Sequence, residues 1–255
     1  MMDTYFSCLL IGDWGSGKTT AASTAPGPVL YLDTDNKLHK MVNLKSKMDS
    51  GQLIQWALEV PLSTMGLRRL ATTDMKPGTK LAVQRPLGYM NLVGMIEKLV
   101  DDKCIIEHKG EKVKVETVVL DSYTTMDEHI RRLLMAVNGT ATMTLPLYGA
   151  LLSNFEEINN TILRLPANVI FICHIKVDKD DLTGKISLGP LINGAMSGKI
   201  GKDFEEVYYM QKTITGDKVK YEMNTIGDSM KDCRTSRVLP KLVEADFGKI
   251  YEEKK

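Results

Sequence analysis

The sequence predicts an α/β protein built on a doubly wound, mostly parallel β-sheet with β-hairpins in its C-terminal part. Three observations lead to this fold class. Short, nearly continuous apolar runs alternate with segments of helical period, the first apolar run leads into a glycine-rich loop, and the C-terminal part changes to paired strand-like arms. Continuous apolar strands are typical of parallel sheets covered on both faces, and strand–helix alternation indicates βαβ units.

Five apolar runs rich in β-branched and aromatic residues are predicted strands. They are YFSCLLI (5–11), PVLYLD (28–33), VETVVLD (115–121), NVIFICHI (168–175) and EVYYMQK (206–212). One helix is expected to begin at the glycine-rich loop and to continue through TTAAST. Three further helices are predicted at 89–102, 125–138 and 147–165.

The later part of the chain departs from this alternation. Residues 175–189 and 207–225 each place a polar turn between two strand-like arms, the second with Thr-Gly-Asp at its tip, and both are predicted hairpins. Residues 52–87 contain three prolines and no sustained period, so irregular connections around a short strand are expected there. Because no repeat or linker divides the chain, the sequence predicts a single domain over residues 1–255.

Composition and charge exclude several classes of protein. The 255 residues are 43% hydrophobic and 25% charged with a net charge of +1, which gives no support to a whole-surface nucleic-acid binder. The four cysteines form no C-x-x-C pair, so buried free thiols are expected rather than a metal site. No apolar run reaches the roughly 18 residues of a membrane helix, and no secretory signal is visible. We expect no membrane association and a cytoplasmic location.

The glycine-rich loop predicts a site for nucleotide phosphates and Mg²⁺. Gly12, Gly17, Lys18 and Thr19 match the G-x-x-x-x-G-K-[ST] pattern. Glycines let the chain curl so that backbone N–H groups point at an anion, while Lys18 reaches the β- and γ-phosphates and the Thr19 hydroxyl coordinates Mg²⁺. The predicted nucleotide-binding residues are Gly12, Asp13, Trp14, Gly15, Ser16, Gly17, Lys18, Thr19 and Thr20. Trp14 is expected to pack over the loop or to meet a neighbouring chain.

A second metal ligand is predicted at the end of another strand. The segment TVVLDS places Asp121 after four apolar or β-branched residues, the form of a Walker B strand. At the C-terminal end of a central strand this carboxylate would lie beside the loop, where open α/β sheets bind ligands. We expect Asp121 to hold Mg²⁺ through water and Ser122 to assist by hydrogen bonding.

Two more strand ends carry polar groups suited to hydrolysis, which needs a group that orients water and a group that contacts the γ-phosphate. Asp33 and Asp35 follow the second strand, and His174 ends the VIFIC run. Each has a structural alternative. Asp35 could be the N-cap of a helix that starts in NKLHKMV, and His174 could be a hydrogen-bonded strand-end histidine.

These strand ends together resemble the RecA/RadA-type ATPase core. The resemblance implies a RecA-like P-loop NTPase fold and Mg²⁺-dependent ATP hydrolysis, with Asp35 polarising water, His174 contacting the γ-phosphate and Asp33 as the inner residue of its strand end. This sequence departs from the family twice. The water-polarising acid is usually Glu, which is one methylene longer, so slow or partner-dependent turnover is expected. His174 stands where an amide is usual, although a neutral imidazole still donates one hydrogen bond.

The chain is more closely similar to short, single-domain phage nucleotide-binding proteins of that superfamily, which accompany single-strand annealing and recombination. The shared segments are GPLINGAMSGKIGKDFEEVYYM (189–210) and CRTSRVLPKLVEADF (233–247). This resemblance implies single-stranded DNA as a partner. It also implies a homo-oligomer, a ring or a filament, in which a basic residue reaches the neighbouring subunit's γ-phosphate. The basic residues at suitable places are Lys199, Lys202, Arg234 and Arg237, and each also suits a solvated surface.

The residues themselves support the DNA role only weakly, and two other functions stay open. Segment 175–203 carries five Lys against four Asp and no aromatic residue, a poor groove for a single strand. One alternative is a P-loop kinase for a small acceptor, although the close Arg pairs of LRRL (67–70) and IRRLL (130–134) are typical of element surfaces. The other is a nucleotide-gated annealing or scaffold protein with negligible turnover. ATP is expected over GTP because no N-K-x-D segment occurs.

Overall fold

The structure, a computed structural model, describes residues 5–58 and 87–251. The strands are β1 Ser7–Gly12, β2 Val29–Asp33, β3 Leu53–Ala57, β4 Ile105–His108, β5 Glu111–Lys114, β6 Thr117–Asp121, β7 Asn168–Lys179, β8 Ile186–Pro190, β9 Glu206–Thr215, β10 Lys218–Asn224 and β11 Leu242–Glu244. The α-helices are α1 Lys18–Ala22, α2 Lys45–Asp49, α3 Leu87–Asp101, α4 Tyr123–Asn138, α5 Leu145–Ile162 and α6 Phe247–Tyr251.

The central sheet is mostly parallel. Its strand order is β11-β10-β9-β1-β7-β6-β2-β3, with β8 paired to β7. The six strands from β9 to β3 in this order run parallel, whereas β10, β11 and β8 are antiparallel to their neighbours. The predicted fold class, an α/β fold with a doubly wound, mostly parallel sheet and C-terminal hairpins, is confirmed by this topology.

Helices cover both faces of the sheet because the central strands are apolar on both sides. Successive side chains of β1 point to opposite faces: Leu9 and Ile11 join a core with α3, α4 and α5, and Cys8 and Leu10 join a second core with α1 and α6. Three of the four free cysteines are buried, as expected. In the described part of the chain, no helix has both the length and the apolar character to cross a bilayer.

Both predicted hairpins form, and the structure has a further hairpin that the sequence does not predict. The β9–β10 pair closes over Gly216 and Asp217, since Thr215 pairs with Lys218. The hairpin that the sequence does not predict joins β4 to β5 through Lys109 and Gly110, both at positive φ. Its arms are short and largely polar, so they lack the apolar run that predicts a strand.

The helix predicted after the glycine-rich loop is shorter than expected. It ends at Ala22 with Ser23 as its C-cap, and prolines at positions 26 and 28 follow. Of the irregular segment predicted at 52–87, β3 accounts for the short strand, and residues 59–86, including the LRRL pair, lie outside the described residues. The single-domain prediction stays a prediction.

Candidate nucleotide-binding site

The glycine-rich loop connects the C-terminal end of β1 to α1, and its glycines are required by geometry. Gly15 and Gly17 have φ of 70° and 88°, a region that side chains other than glycine rarely adopt. At Gly12 an added Cβ would lie 2.8 Å from both Met210 Cβ and Ser16 Oγ. The loop is closed by Ser16, whose Oγ donates to the Asp13 carbonyl at 2.6 Å.

Lys18 is directed into this loop. Its side chain is buried, and Nζ donates to the carbonyl oxygens of Gly12 (2.9 Å) and Asp13 (2.7 Å). Burial lowers the pKa of Lys18, and the nearby Asp121 carboxylate opposes that shift. A buried ammonium group among loop carbonyls is a strong binding partner for phosphate oxygens because little water competes with it.

Thr19 and Asp121 meet directly, although 102 residues separate them in the sequence. Thr19 Oγ1 donates to Asp121 Oδ2 at 2.7 Å, and parallel pairing places Asp121 at the end of β6, level with Asp33 of β2. Burial raises the pKa of Asp121 to about 7, against the lowering effect of the Thr19 hydrogen bond. A hydroxyl and a carboxylate are the hard oxygen ligands that Mg²⁺ uses, commonly together with substrate phosphates. The donor set therefore fits Mg²⁺.

The raised pKa of Asp121 gives a stability prediction. Because the folded state holds the Asp121 proton more tightly than the unfolded chain does, the contribution of Asp121 to stability is greatest below the pKa that Asp121 has in the unfolded chain. This contribution is lost as pH rises through about 7. In EDTA, Asp121→Asn should therefore raise the free energy of unfolding above pH 7 by up to about 4 kcal/mol, and by little near pH 4. Urea unfolding of both chains at the two pH values measures this; a difference independent of pH would contradict it.

Asp33 and Asp35 have different surroundings. Asp33 is buried, and its Oδ2 accepts from the backbone amides of Lys37 (2.9 Å) and Leu38 (2.8 Å) and from Gln55 Nε2 (2.8 Å). Asp33, and not Asp35, therefore accepts from the backbone amides at the start of the 3₁₀ turn that follows. The Asp35 carboxylate does not accept from these backbone amides and lines the cavity beside the loop.

Asp35 is held by two side chains. Its Oδ1 accepts a hydrogen bond from Thr125 Oγ1, in the first turn of α4, and its Oδ2 accepts from Lys37 Nζ at 3.2 Å. Thr34 fixes the adjoining backbone: its hydroxyl accepts from Ser122 N at 2.8 Å and donates to the Ser122 carbonyl at 3.0 Å. The end of β2 is thereby tied to the end of β6.

His174 lies between the loop and Asp121. In the β1–β7 register it pairs with Gly12, and its backbone N–H donates to Thr124 Oγ1 at 3.0 Å. Burial lowers the pKa of His174, and the positive charge of Lys18 lowers it further. The imidazole is thus neutral at neutral pH and has one N–H to donate.

The five residues predicted to act together line one cavity of about 560 Å³. They are Lys18, Thr19, Asp35, Asp121 and His174. The carboxyl ends of β1, β2 and β6 meet at this edge of the sheet, level with His174 in the middle of β7, which explains the convergence. The cavity is large enough for a nucleotide-sized ligand.

Some of the other predicted residues line the cavity as well, namely Trp14, Gly15, Gly17, Thr20 and Asp33. Trp14 is 85% exposed, so it does not pack over the loop within its own chain. The Asp13 carboxylate accepts from the Trp14 amide at 2.8 Å. Ser122 caps α4 by accepting from Thr125 N rather than contacting the metal ligands. Among the basic residues proposed to act across subunits, all are exposed and none lines the cavity, namely Lys199, Lys202, Arg234 and Arg237.

Several residues that line the cavity are not predicted by the sequence. Segment 37–43 contributes Lys37, Lys40, Met41 and Asn43, and the β9–β10 hairpin contributes Tyr221. No motif marks them. For segment 37–43 the available signal is its two lysines, which follow the acidic end of β2. Nothing in the sequence around Tyr221 distinguishes it.

The chain is similar to a known protein family and to solved structures. A family model described as an AAA domain (AAA_24) matches residues 4–235. No curated protein matches the sequence. A solved KaiC-like protein from the hyperthermophilic archaeon Pyrococcus horikoshii OT3 is 12% identical, with a TM-score of 0.43 over 91% of this chain and 82% of that one. The flagellar accessory protein FlaH from Methanocaldococcus jannaschii is 13% identical, with a TM-score of 0.36 over 86% and 76%.

The family match covers most of the chain and includes every residue of the cavity described above. The chain therefore belongs to the AAA domain family AAA_24.

Proposed function

We propose that this chain is a Mg²⁺-dependent ATPase of the RecA type. The observation that supports this most directly is the hydrogen bond between Thr19 and Asp121, 2.7 Å long, beside the buried Lys18 ammonium. Loop amides and Lys18 bind the triphosphate, and Thr19 and Asp121 hold the metal. Bound Mg²⁺ neutralises charge on the phosphates.

Asp35 and His174 supply the remaining groups for hydrolysis. The Asp35 carboxylate orients the attacking water and accepts its proton. The neutral His174 imidazole donates a hydrogen bond to the γ-phosphate. Thr125 fixes the Asp35 side chain, because its hydroxyl donates to the carboxylate oxygen Oδ1.

We further propose that ATP turnover is coupled to single-stranded DNA, in recombination, annealing or replication of a phage. Strand β7 supports this coupling: it carries His174 and continues without a break into the exposed hairpin with β8. That hairpin bears Lys176, Lys179 and Lys185, although Lys176 pairs with Asp178 at 2.7 Å. A change at the γ-phosphate contact is therefore transmitted along one strand to a surface with cationic side chains.

A side-by-side assembly of identical subunits belongs to the same proposal. Trp14 and Val42 are 85% and 86% exposed, and Trp14 lies at the cavity mouth. Large apolar side chains exposed at a ligand site support coverage by a neighbouring copy.

The coupling to DNA is tested by phosphate release with and without single-stranded DNA. We expect the native chain to release phosphate slowly and at least about fivefold faster with DNA, with a salt-dependent stimulation. Replacing Lys179 and Lys185 by serine should remove the stimulation and leave basal release unchanged. Equal rates with and without DNA would contradict the DNA role and leave the ATPase intact.

A second candidate is a nucleotide-gated annealing or scaffold protein with negligible turnover. It is favoured by the two bonds that hold the Asp35 carboxylate, from Thr125 and Lys37. Nucleotide binding without any phosphate release, with or without DNA, would select this candidate. The kinase alternative gains no support from the helix α4 arginines, which pair with acids of their own helix, Arg131 with Asp127 and Arg132 with Glu128.

A further inference from the structure

Tyr221 is an aromatic residue of the nucleotide cavity that comes from a distant part of the chain. It lies on β10, opposite Lys212 of β9, and its carbonyl accepts a hydrogen bond from Ala245 N at 3.2 Å. Its backbone is thus fixed on both sides. The side chain is 39% exposed and lines the cavity together with Lys18 and Thr19.

The ring of Tyr221 rests on the glycine-rich loop. An added Cβ at Gly17 would lie 2.9 Å from Cδ1 and 3.4 Å from each of Cγ and Cε1. Because the flanking ring atoms are only half an ångström farther from that Cβ position than Cδ1, the position lies over the ring face rather than beyond its rim. One face of the ring is therefore turned toward Gly17.

The cavity lining combines charged and polar side chains with the apolar Met41 and the aromatic Tyr221. In the proposed function, Lys18, Thr19 and Asp121 hold the phosphates and the metal. Met41 and Asn43 line the cavity as well, and the Asn43 amide donates to Thr20 Oγ1 at 3.1 Å, which keeps this segment beside α1. When a nucleotide is bound through its phosphates, its base and ribose can still contact apolar or aromatic groups of the cavity.

Tyr221 is better suited to this contact than Trp14, the other large aromatic residue among the described cavity residues. Trp14 is in a loop and 85% exposed, so binding would have to order it. Tyr221 is already held by its strand neighbours and by Gly17. A preorganised ring binds with less loss of side-chain entropy.

We propose that the base of the bound nucleotide packs against the ring of Tyr221, on the face turned away from Gly17. This inference rests on the proposed nucleotide binding and adds the residue that distinguishes a nucleotide from a bare polyphosphate. Stacking accepts any base, since every base has a π-face, so Tyr221 contributes affinity rather than a choice between adenine and guanine.

The test compares ATP with inorganic tripolyphosphate, both with Mg²⁺, by isothermal titration calorimetry. Base–aromatic stacking contributes about 1–3 kcal/mol, so Tyr221→Ala should weaken ATP binding by roughly 5- to 150-fold. Tripolyphosphate affinity should stay within about twofold, because that ligand lacks the base. Tyr221→Phe keeps the ring and should bind ATP as the native chain does.

A matched control is Tyr148→Ala, because Tyr148 is also 39% exposed but lies on α5, away from the cavity lining. It should leave both affinities unchanged. Equal losses for ATP and tripolyphosphate in Tyr221→Ala would show that Tyr221 only supports the loop, and no loss would also overturn the inference. If the native chain bound neither ligand, the proposed function itself would fail.

Discussion

Lys18→Ala is expected to abolish nucleotide binding, with the affinity for ATP falling at least about a hundredfold. Lys18 is 6% exposed, and its ammonium group already donates to two loop carbonyls. Hydrogen bonds to charged groups contribute roughly 1.5–3 kcal/mol each, and the triphosphate offers Lys18 two phosphates. Calorimetric titration with ATP and Mg²⁺ measures the loss.

Lys40→Ala is the matched control for Lys18→Ala. Lys40 also lines the cavity, but its side chain is exposed to solvent, where screening makes a charge contact weak. We expect a change in ATP affinity of no more than a few-fold, reduced further at higher salt. If Lys18→Ala bound ATP within a few-fold of the native chain, the loop would not be a phosphate site, and the proposed ATPase would be rejected.

The sequence predicted those parts of the site that local patterns encode. Gly12, Lys18 and Thr19 belong to one loop motif, and Asp121 ends an apolar strand. Their meeting follows from a general rule, since the carboxyl ends of parallel strands share an edge of the sheet. The strand order itself, with β7 between β1 and β6, places His174 level with Gly12.

The remaining parts of the site depend on contacts that no local pattern encodes. Tyr221 reaches Gly17 because β9 and β10 extend the sheet on the side of β1. The alternation of side chains along β10 predicts only that Tyr221 is an exposed tyrosine. The roles of Asp33 and Asp35 depend on which carboxylate faces the backbone amides of the following turn. Asp33 takes that role, and a two-residue spacing in sequence does not decide it.

Asp35→Asn is expected to retain ATP binding and to lose hydrolysis. The asparagine side chain has the same size and still accepts from Thr125, whereas Lys18 and Thr19, proposed to hold the phosphates and the metal, are bonded to other groups. General-base action contributes about 10²–10⁴-fold to a rate, so kcat should fall at least about a hundredfold with little change in ATP affinity. Single-turnover phosphate release and calorimetry measure the two quantities separately.

Asp33→Asn separates this catalytic effect from a structural one. Asp33 is 3% exposed and its Oδ2 accepts three hydrogen bonds, so its replacement should lower the free energy of unfolding while the folded fraction keeps its kcat. The reverse pattern is expected for Asp35→Asn: full stability and no turnover.

Thr125 links Asp35 to helix α4 and tests how the carboxylate is positioned. Thr125→Val removes the hydroxyl that donates to Asp35 Oδ1, and kcat should fall while ATP affinity is unchanged. Thr125→Ser restores the hydroxyl and should restore kcat. Because the Thr125 hydroxyl also accepts from Ser122 Oγ at 3.0 Å, rescue by serine identifies the hydroxyl, and not the threonine methyl group, as the cause. If Asp35→Asn hydrolysed ATP at the native rate, the water would be oriented by another group, and neither Asp35 nor Thr125 would belong to the mechanism.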